Sequence, residues 1–267
     1  MAREATPLGL AHRDARGQAP GPWSCDGPRF GEVTTYVLVP GAFHGGWVWS
    51  PVADVLRRRG HCAVAVTLTG LGERRHLLSP DLGVDTHITD LVNTIAYRDL
   101  SDVTLVLHSY AGVLAGPVVE RAEGRIAQVI LAGGFLANPG ESNFTVEPPA
   151  SVAAFTRLAD EEGQGWRIPV QRAFLERWGI VDPELVDYVW PRLTDFPLRC
   201  STDIVSYDAG VLSGLPRTYI EHTSPDLPAL DVSIERARAE GWRMLSIAAG
   251  HDFMLERPEE TADLLEP

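Results

Sequence analysis

The sequence predicts an α/β fold: a mostly parallel, doubly wound sheet with a helical insertion. Apolar strand-like runs alternate with helical segments between residues 35 and 131, which is typical of a parallel sheet covered by helices. Between about residues 136 and 215 this pattern gives way to short helical pieces rich in aromatic residues. A chain of 267 residues is long enough for a single such domain with an insertion.

The predicted elements follow this alternation in chain order. Strands are predicted at 35–39, 63–67, 103–107, 126–131, 216–221 and 243–249. Helices are predicted at 49–59, 88–97 and 112–122, in the insertion at 151–162, 170–178 and 183–192, and at the end of the chain at 259–265.

Residues 1–32 differ in composition from the rest of the chain. They are rich in Pro, Gly, Arg and Asp and show no hydrophobic periodicity. Such a segment buries too little apolar surface to fold by itself, so we predict a poorly ordered or surface-draped arm. The folded domain is predicted to span residues 33–267, with the insertion at about 136–215.

The stretch from Val103 to Gly112 is the most informative motif. An apolar strand delivers Ser109 into a tight turn that contains the small residues Ala111 and Gly112, at the start of a helix. This pattern is typical of a nucleophile elbow, in which a Ser hydroxyl projects from the edge of the sheet in a strained backbone conformation. We therefore predict that Ser109 is a nucleophile.

One alternative remains open for this motif. Leu107 stands two residues before Ser109, where the elbow usually has Gly because the strand and helix backbones approach closely. An ordinary strand-to-helix turn, with Ser109 acting only as a helix cap, would fit the same residues. The presence of the other triad members favours the elbow.

His251 is the predicted general base. It follows the last predicted strand, and ligand and catalytic groups of open α/β sheets collect at the carboxyl ends of strands. A neutral imidazole at this edge can take the Ser proton at physiological pH. The predicted triad therefore has Ser109 first and His251 last, which is the order of a Ser, acid, His triad on such a sheet.

The acid of the triad is assigned to the loop after the strand at 216–221. That loop offers Asp226, which would hold the imidazole in the correct tautomer and stabilise the imidazolium. Asp231 competes with Asp226, because two prolines leave the loop geometry open. The loop after the strand at 126–131 carries no acid, so we predict Asp226.

A glycine-rich loop, Pro40–Trp47, follows the first strand. Such a loop can direct a backbone N–H toward the site above the elbow, while the residue after the nucleophile supplies a second N–H. We predict an oxyanion hole from Ala42 and Tyr110. The alternative is a plain turn that uses Gly for its dihedral angles, which the elbow disfavours.

These motifs resemble those of the α/β-hydrolase superfamily. The segments Val37–Trp49, Leu68–Arg74 and Gly250–His251, together with the elbow, are similar to the branch that contains small plant methyl esterases, hydroxynitrile lyases and their bacterial relatives. The resemblance runs from about Thr34 to the end of the chain. It implies a cofactor-free enzyme that acts on small esters or related carbonyl compounds, with the triad described above and the insertion forming a cap over the Ser.

Two departures separate the chain from the lyases of that branch. Gly41 stands where the plant lyases that it resembles have Thr, and Asp252 stands where they place a Lys after the His. The charge-stabilising group of the lyase reaction is therefore missing, which favours the esterase interpretation.

Composition excludes several classes of function. The net charge of −13 disfavours nucleic acid as a partner, because phosphate binding requires a basic surface. No apolar run approaches the length of a membrane helix, and no signal-peptide pattern begins the chain. All 23 basic residues are Arg, which excludes a Schiff-base lysine.

Three cysteines indicate reduced thiols and a cytoplasmic location, and the oligomeric state stays open.

The expected function is that of a serine hydrolase without metal or cofactor. We expect cleavage of a small or medium apolar carboxylic ester or lactone, bacterial natural products included, through an acyl-enzyme at Ser109. One alternative is a non-hydrolytic tailoring enzyme that catalyses a cyclisation, elimination or lyase step on the same scaffold. A ligand receptor with a hydrolase fold is a weaker alternative, because an intact triad argues against it.

Overall fold

A parallel sheet forms the centre of the computed structural model, which describes residues 33–266. The predicted arm at residues 1–32 lies outside the described residues. The strands are β1 (Thr35–Val39), β2 (Cys62–Ala65), β3 (Val103–His108), β4 (Ile126–Ala132), β5 (Arg167–Ile168), β6 (Phe196–Pro197), β7 (Arg217–His222) and β8 (Arg243–Ile247). The six-stranded sheet has the order β2-β1-β3-β4-β7-β8 with every pair parallel, and β5 and β6 form a separate antiparallel pair.

Helices connect the strands and fill the insertion. They are α1 (Ser50–Arg58), α2 (Val84–Tyr97), α3 (Ala115–Arg121), α4 (Asn143–Val146), α5 (Pro149–Glu162), α6 (Ala173–Arg177), α7 (Pro183–Val189), α8 (Leu198–Thr202), α9 (Asp231–Ala239), α10 (Phe253–Glu256) and α11 (Pro258–Leu265). Short 3-10 turns occur at Gly46–Trp49, Gly72–Leu77, Ser109–Leu114, Trp190–Arg192 and Pro228–Leu230.

Two apolar layers enclose the sheet, as the alternation of side chains along β3 illustrates. Leu105 and Leu107 face the layer that contains α2 and α3, whereas Val106 faces the layer that contains α1 and α11. Successive side chains of a strand point to opposite faces, so a strand buried on both sides is apolar throughout. The predicted doubly wound sheet is therefore confirmed.

The strand order places a crevice at the carboxyl ends of β1 and β3. β1 lies beside β3, and the connections that leave these two strands run to opposite faces of the sheet, to α1 and α3 respectively. Ligand sites of open α/β sheets lie at such a switch point. The insertion between β4 and β7 covers this edge, and two backbone hydrogen bonds hold it there: Thr194 N–H donates to Phe43 O (3.0 Å) and His251 N–H donates to Trp178 O (2.8 Å).

Most element boundaries agree with the sequence prediction to within a few residues, and two boundary differences matter for the site. The helix predicted from residue 112 begins at Ala115, because a 3-10 turn comes directly after the elbow. β7 extends to His222, one residue beyond its predicted end.

Cys62 forms a disulfide, whereas Cys200 is a free, buried thiol, so the expectation that all three cysteines are reduced is wrong. An odd cysteine count still permits one disulfide, and the cytoplasmic expectation loses the support that it took from reduced thiols.

Candidate active site

Ser109 lies at the carboxyl end of β3 in the conformation of a nucleophile elbow. Its φ angle of 52° is in the left-handed region, which costs a non-glycine residue free energy and is retained where the surroundings enforce it. Phe135 N–H donates to Ser109 O (2.9 Å) and ties the elbow to the end of β4. Gly112 permits this approach, since a Cβ there would lie 2.3 Å from Phe135 O.

Leu107 does not prevent the elbow from forming. Its side chain is fully buried in the apolar layer beside α2 and α3, in the same layer as the turn residues Tyr110 and Ala111. In this chain the small residues that allow close backbone contact at the elbow are Ala111 and Gly112, which follow the Ser.

The loop after β1 passes directly over the elbow. Gly41 allows the contact, because a Cβ at this position would lie 2.6 Å from Ser109 Cβ. The predicted oxyanion donors, Ala42 and Tyr110, line the same cavity as Ser109. Tyr110 stands in the first turn of the 3-10 helix, where backbone N–H groups have no partner within the helix.

His251 reaches the elbow from the end of β8. It is 3% exposed, and its ring packs against that of His108, the residue before Ser109, with centroids 4.5 Å apart. Ser109 and His251 line one cavity, although no hydrogen bond joins their side chains among the described residues. The structure therefore brings together the predicted nucleophile, the predicted base and the two predicted oxyanion donors.

The partner of His251 is a second histidine. His251 Nδ1 lies 2.9 Å from His222 Nε2, and His222 Nδ1 lies 3.0 Å from the carbonyl oxygen of Pro225. A carbonyl oxygen can only accept, so Nδ1 of His222 carries the proton and Nε2 of the neutral ring is the acceptor. His251 Nδ1–H then donates to His222, which leaves Nε2 of His251 unprotonated and able to act as a base.

Asp226 and Asp231 do not contact His251, which corrects the predicted acid. Asp226 is exposed to solvent, and Asp231 is exposed at the start of α9. The reason lies in the pairing of β7 with β8, which places His222 opposite Ile247. This pairing continues one residue beyond β7, because Thr223 N–H donates to Ile247 O. His222 is thereby held at the sheet edge beside His251, and the loop turns outward before it reaches Asp226.

Burial sets the protonation states of this histidine pair. It lowers the pKa of His251 well below its usual value of 6.5, and the neighbouring His108 and His222 lower it further. Burial also lowers the pKa of His222, although the carbonyl of Pro225 and the charge of Asp252 act in the opposite direction. Both rings are therefore neutral at neutral pH, in agreement with the hydrogen-bond assignment above.

A buried ion pair supports the loop after β1. His44 Nε2 lies 3.2 Å from Asp252 Oδ2, and His44 Nδ1 lies 2.7 Å from Ala42 O. Both ring nitrogens of His44 thus face acceptors, which requires the charged imidazolium. Burial disfavours this charge, but the Asp252 carboxylate outweighs burial, so the pKa of His44 is raised. The pair holds the carbonyl of Ala42 and thereby orients the loop after β1.

The cavity above Ser109 is mostly apolar. It encloses about 690 Å³ including its opening to solvent, within the range of small-molecule sites. Six aromatic side chains of the loops and the insertion line it: Phe43, Phe135, Phe155, Phe174, Trp178 and Phe196. The polar residues Asn143, Glu147 and Ser201 of the insertion line the same cavity.

Sequence reasoning missed four of the polar residues in this region. Asp252 directly follows His251 and His222 lies four residues before Asp226, but neither was assigned a role in the site, and Asn143 and Glu147 belong to no motif. The one available signal was the position of His222 at the carboxyl end of a strand, the same criterion that identified His251. In residues 33–266 no group of three or more His, Cys, Asp or Glu side chains is arranged to hold a metal ion.

Comparison with known proteins finds relatives among bacterial and plant esterases. A carbendazim hydrolyzing esterase from Nocardioides sp. (strain SG-4G) is 29% identical over 245 residues, which cover 87% of this chain and 98% of that protein. Methyl jasmonate esterase 1 from Vitis vinifera is 29% identical over 112 residues, 42% of this chain and 43% of the relative. The predicted branch is confirmed, and with it the expectation of an enzyme of the esterase class.

A solved structure shows the same fold. The extracellular alpha/beta-hydrolase from a Paenibacillus species superposes with a TM-score of 0.75 at 18% identity, over 88% of this chain and 98% of that one. A family model described as the alpha/beta hydrolase family matches residues 36–264, which include every residue of the site described above. The chain is therefore a member of the alpha/beta hydrolase family.

Proposed function

We propose that this protein hydrolyses small or medium apolar carboxylic esters or lactones through an acyl-enzyme at Ser109. The observation that carries the proposal is the strained Ser109 at the end of β3, in one aromatic-lined cavity with His251. The names of the relatives support esters as the substrate class. The aromatic walls support an apolar acyl or alcohol group.

In the proposed mechanism, Nε2 of His251 removes the proton of Ser109, whose oxygen attacks the ester carbonyl. The two side chains are not hydrogen-bonded in the described structure, and such bonds often form only when substrate is bound. The backbone N–H groups of Ala42 and Tyr110 stabilise the oxyanion. The imidazolium of His251 then protonates the leaving alcohol, and a water activated by the same imidazole releases the acid.

His222 is the proposed positioning residue of this mechanism. It holds the tautomer of His251 in the way that a carboxylate does in other triads, but a neutral ring supplies no negative charge to the imidazolium. Proton removal from Ser109 is therefore less favourable than with an acid at this position. We expect the enzyme to work best on esters with good leaving groups, for which the acylation barrier is low.

One observation favours a second candidate function, the non-hydrolytic tailoring enzyme. The absence of a carboxylate against His251 weakens base catalysis at Ser109, while an imidazole in an apolar cavity can still move a proton in an elimination or cyclisation. Trapping of a Ser109 acyl-enzyme from a turned-over substrate would exclude this second candidate.

The first experiment combines turnover with active-site labelling. The wild type and Ser109→Ala are assayed with p-nitrophenyl esters of increasing acyl length and treated with a fluorophosphonate, and the label is located by mass spectrometry. We expect turnover and labelling in the wild type and a loss of both in Ser109→Ala, by a factor of about 10⁴ or more in kcat. A folded wild type that neither turns over nor takes the label overturns the proposal.

A further inference from the structure

Three polar residues of the insertion line the mostly apolar cavity. Asn143 begins α4, Glu147 follows the end of the same helix, and Ser201 lies on α8, which packs against α4. All three line the cavity that contains Ser109. We call these three residues the polar wall. The mechanism proposed above gives none of them a task.

Asn143 carries an unsatisfied hydrogen-bond donor. The residue is 4% exposed, and its Nδ2 has no hydrogen-bond partner among the described residues. Buried polar groups of native proteins are nearly always hydrogen-bonded, so each exception requires an explanation. Because Asn143 lines the cavity, an acceptor atom of a bound ligand would satisfy Nδ2.

Glu147 adds a second unpartnered group four residues along the chain. Residues four apart lie on the same side of a helical turn, so the two side chains share the wall. Within residues 33–266 the Glu147 carboxyl forms neither a hydrogen bond nor an ion pair. Burial raises the pKa of Glu147 to about 7, and Arg177 at the rim of the cavity only partly counteracts this effect. The carboxyl group can therefore accept from a ligand N–H or O–H at neutral pH and above.

The charges around the wall select against ionic ligands. Glu147 disfavours an anionic group, and the exposed Arg177 disfavours a cationic one. What remains is a neutral group with an acceptor for Asn143 beside a donor for Glu147. Phe155 and Phe174 line the same cavity with their rings edge to face, and they favour a flat ring in the bound ligand.

We propose that Asn143 and Glu147 form a specificity subsite for aromatic esters that carry a neutral amide-like group, with a carbonyl or ring-nitrogen acceptor adjacent to an N–H donor. The subsite rests on the proposed function of the cavity as an ester-binding site. It deepens that function by naming the polar feature of the substrate.

The test compares esters of equal shape. The methyl esters of 3- and 4-acetamidobenzoic acid present the amide, and the methyl esters of 3- and 4-isobutylbenzoic acid replace N–H by CH₂ and C=O by CH–CH₃. The wild type is expected to prefer at least one amide ester in kcat/KM. Asn143→Leu and Glu147→Met are each expected to reduce that preference by about 10-fold to 100-fold, while kcat/KM for the isobutyl ester is retained or raised.

Matched variants separate recognition from folding. Asn93→Leu makes the same replacement at an exposed position of α2 and is expected to leave the preference unchanged. Glu147→Gln keeps an acceptor and is expected to keep the preference but to lose its change with pH around 7. Equal preferences in the wild type, Asn143→Leu and Glu147→Met, with unchanged thermal unfolding temperatures, would overturn the subsite.

Binding to an inactive variant distinguishes failure of the subsite from failure of the proposed function. Ser109→Ala is titrated calorimetrically with the same four esters, alone and combined with Asn143→Leu. If the wild type hydrolyses no ester but Ser109→Ala binds an amide ester tightly and the double variant does not, the subsite holds and the hydrolase proposal fails. If esters are hydrolysed and bound without regard to the amide, the subsite fails and the hydrolase proposal holds.

Discussion

At the scale of single residues, the central feature is the histidine at the position where a carboxylate was expected. His222 orients His251 by the same hydrogen bond that an acid would make, with Nδ1 of His251 as the donor. It differs in charge, because a neutral ring leaves the imidazolium of His251 without an adjacent anion. Orientation and charge stabilisation, which one carboxylate usually supplies together, can therefore be measured separately in this site.

Replacement of His222 tests its orienting role. We expect His222→Leu to lower kcat by about 100-fold to 10,000-fold with a smaller change in KM. The buried Nδ1–H of His251 would lose its acceptor, and the imidazole would no longer be held in the tautomer that leaves Nε2 unprotonated. His222→Gln, whose amide oxygen can accept, is expected to recover part of this loss. Asp226→Asn serves as the control and is expected to stay within about twofold of the wild type, since Asp226 is exposed and does not contact His251. A severe loss in Asp226→Asn would contradict the assignment.

The pH dependence of kcat/KM tests whether the missing negative charge next to His251 matters. His251 must be neutral to act as a base, and burial lowers its pKa well below 6.5, so kcat/KM is expected to stay level as the pH falls from 8 to 6.5. In His222→Asp the new carboxylate stabilises the imidazolium and raises the pKa of His251, so the acid limb is expected to move to higher pH. The profile is measured with a p-nitrophenyl ester under kcat/KM conditions. An acid limb at the same pH in both proteins would refute this account.

At the scale of elements, the site depends on how closely the 3-10 turn after β3 packs against the end of β4. The turn keeps Ser109 at positive φ because its carbonyl accepts from Phe135 N–H and because Gly112 lacks a side chain. A shift of this turn would move Ser109 and the N–H of Tyr110 together. Local packing and catalytic geometry are thus coupled in one contact.

Gly112→Ala tests this coupling. The added Cβ would lie 2.3 Å from Phe135 O, so the turn or the end of β4 must shift, and we expect a loss of about 1–3 kcal/mol in the free energy of unfolding together with a fall in kcat. Gly214→Ala is the control, because nothing lies within 4 Å of a Cβ at that position and its backbone needs no positive φ. Urea unfolding and esterase kinetics measure both effects. Equal stability of the two variants would show that the contact is not tight.

At the scale of the whole molecule, the buried histidines link stability to pH. The pKa values of His87, His108, His222 and His251 are lowered, chiefly by burial, and that of His108 falls to about 4. At pH values between the lowered pKa and 6.5, these rings bind fewer protons in the folded state than in the unfolded state, so a fall in pH through this range lowers the free energy of unfolding. His44 acts in the opposite direction: its raised pKa contributes stability below pH 6.5 that is lost as the pH rises through that raised value.

We therefore expect the free energy of unfolding to fall as the pH decreases from 6.5 toward 4, since the lowered pKa values of these four histidines outweigh the raised pKa values of His44, Glu147 and Glu256. The shift of His108 alone, from 6.5 to about 4, corresponds to about 3 kcal/mol. Urea unfolding at half-unit steps of pH measures the slope, and His87→Gln is expected to reduce it, whereas His76→Gln, on the surface, is not. A stability that is independent of pH over this range would contradict the neutral assignment of the buried rings.

The possibility of a membrane span also concerns the whole molecule. No helix within the described part of the chain is long and apolar enough to cross a membrane.

The sequence alone predicted the fold class, the elbow at Ser109, the base His251 and the glycine-rich loop that carries Ala42. These features follow from local patterns, because strand periodicity, turn residues and strand ends are encoded within a few neighbouring positions. The partner of His251 was beyond such reasoning, since His222 lies 29 residues away and reaches His251 only through the pairing of β7 with β8. The polar wall likewise requires α4 and α8 to pack together across the insertion. Only the tertiary structure decided which polar groups meet in the cavity, because long-range register and packing, rather than residue type, determine those contacts.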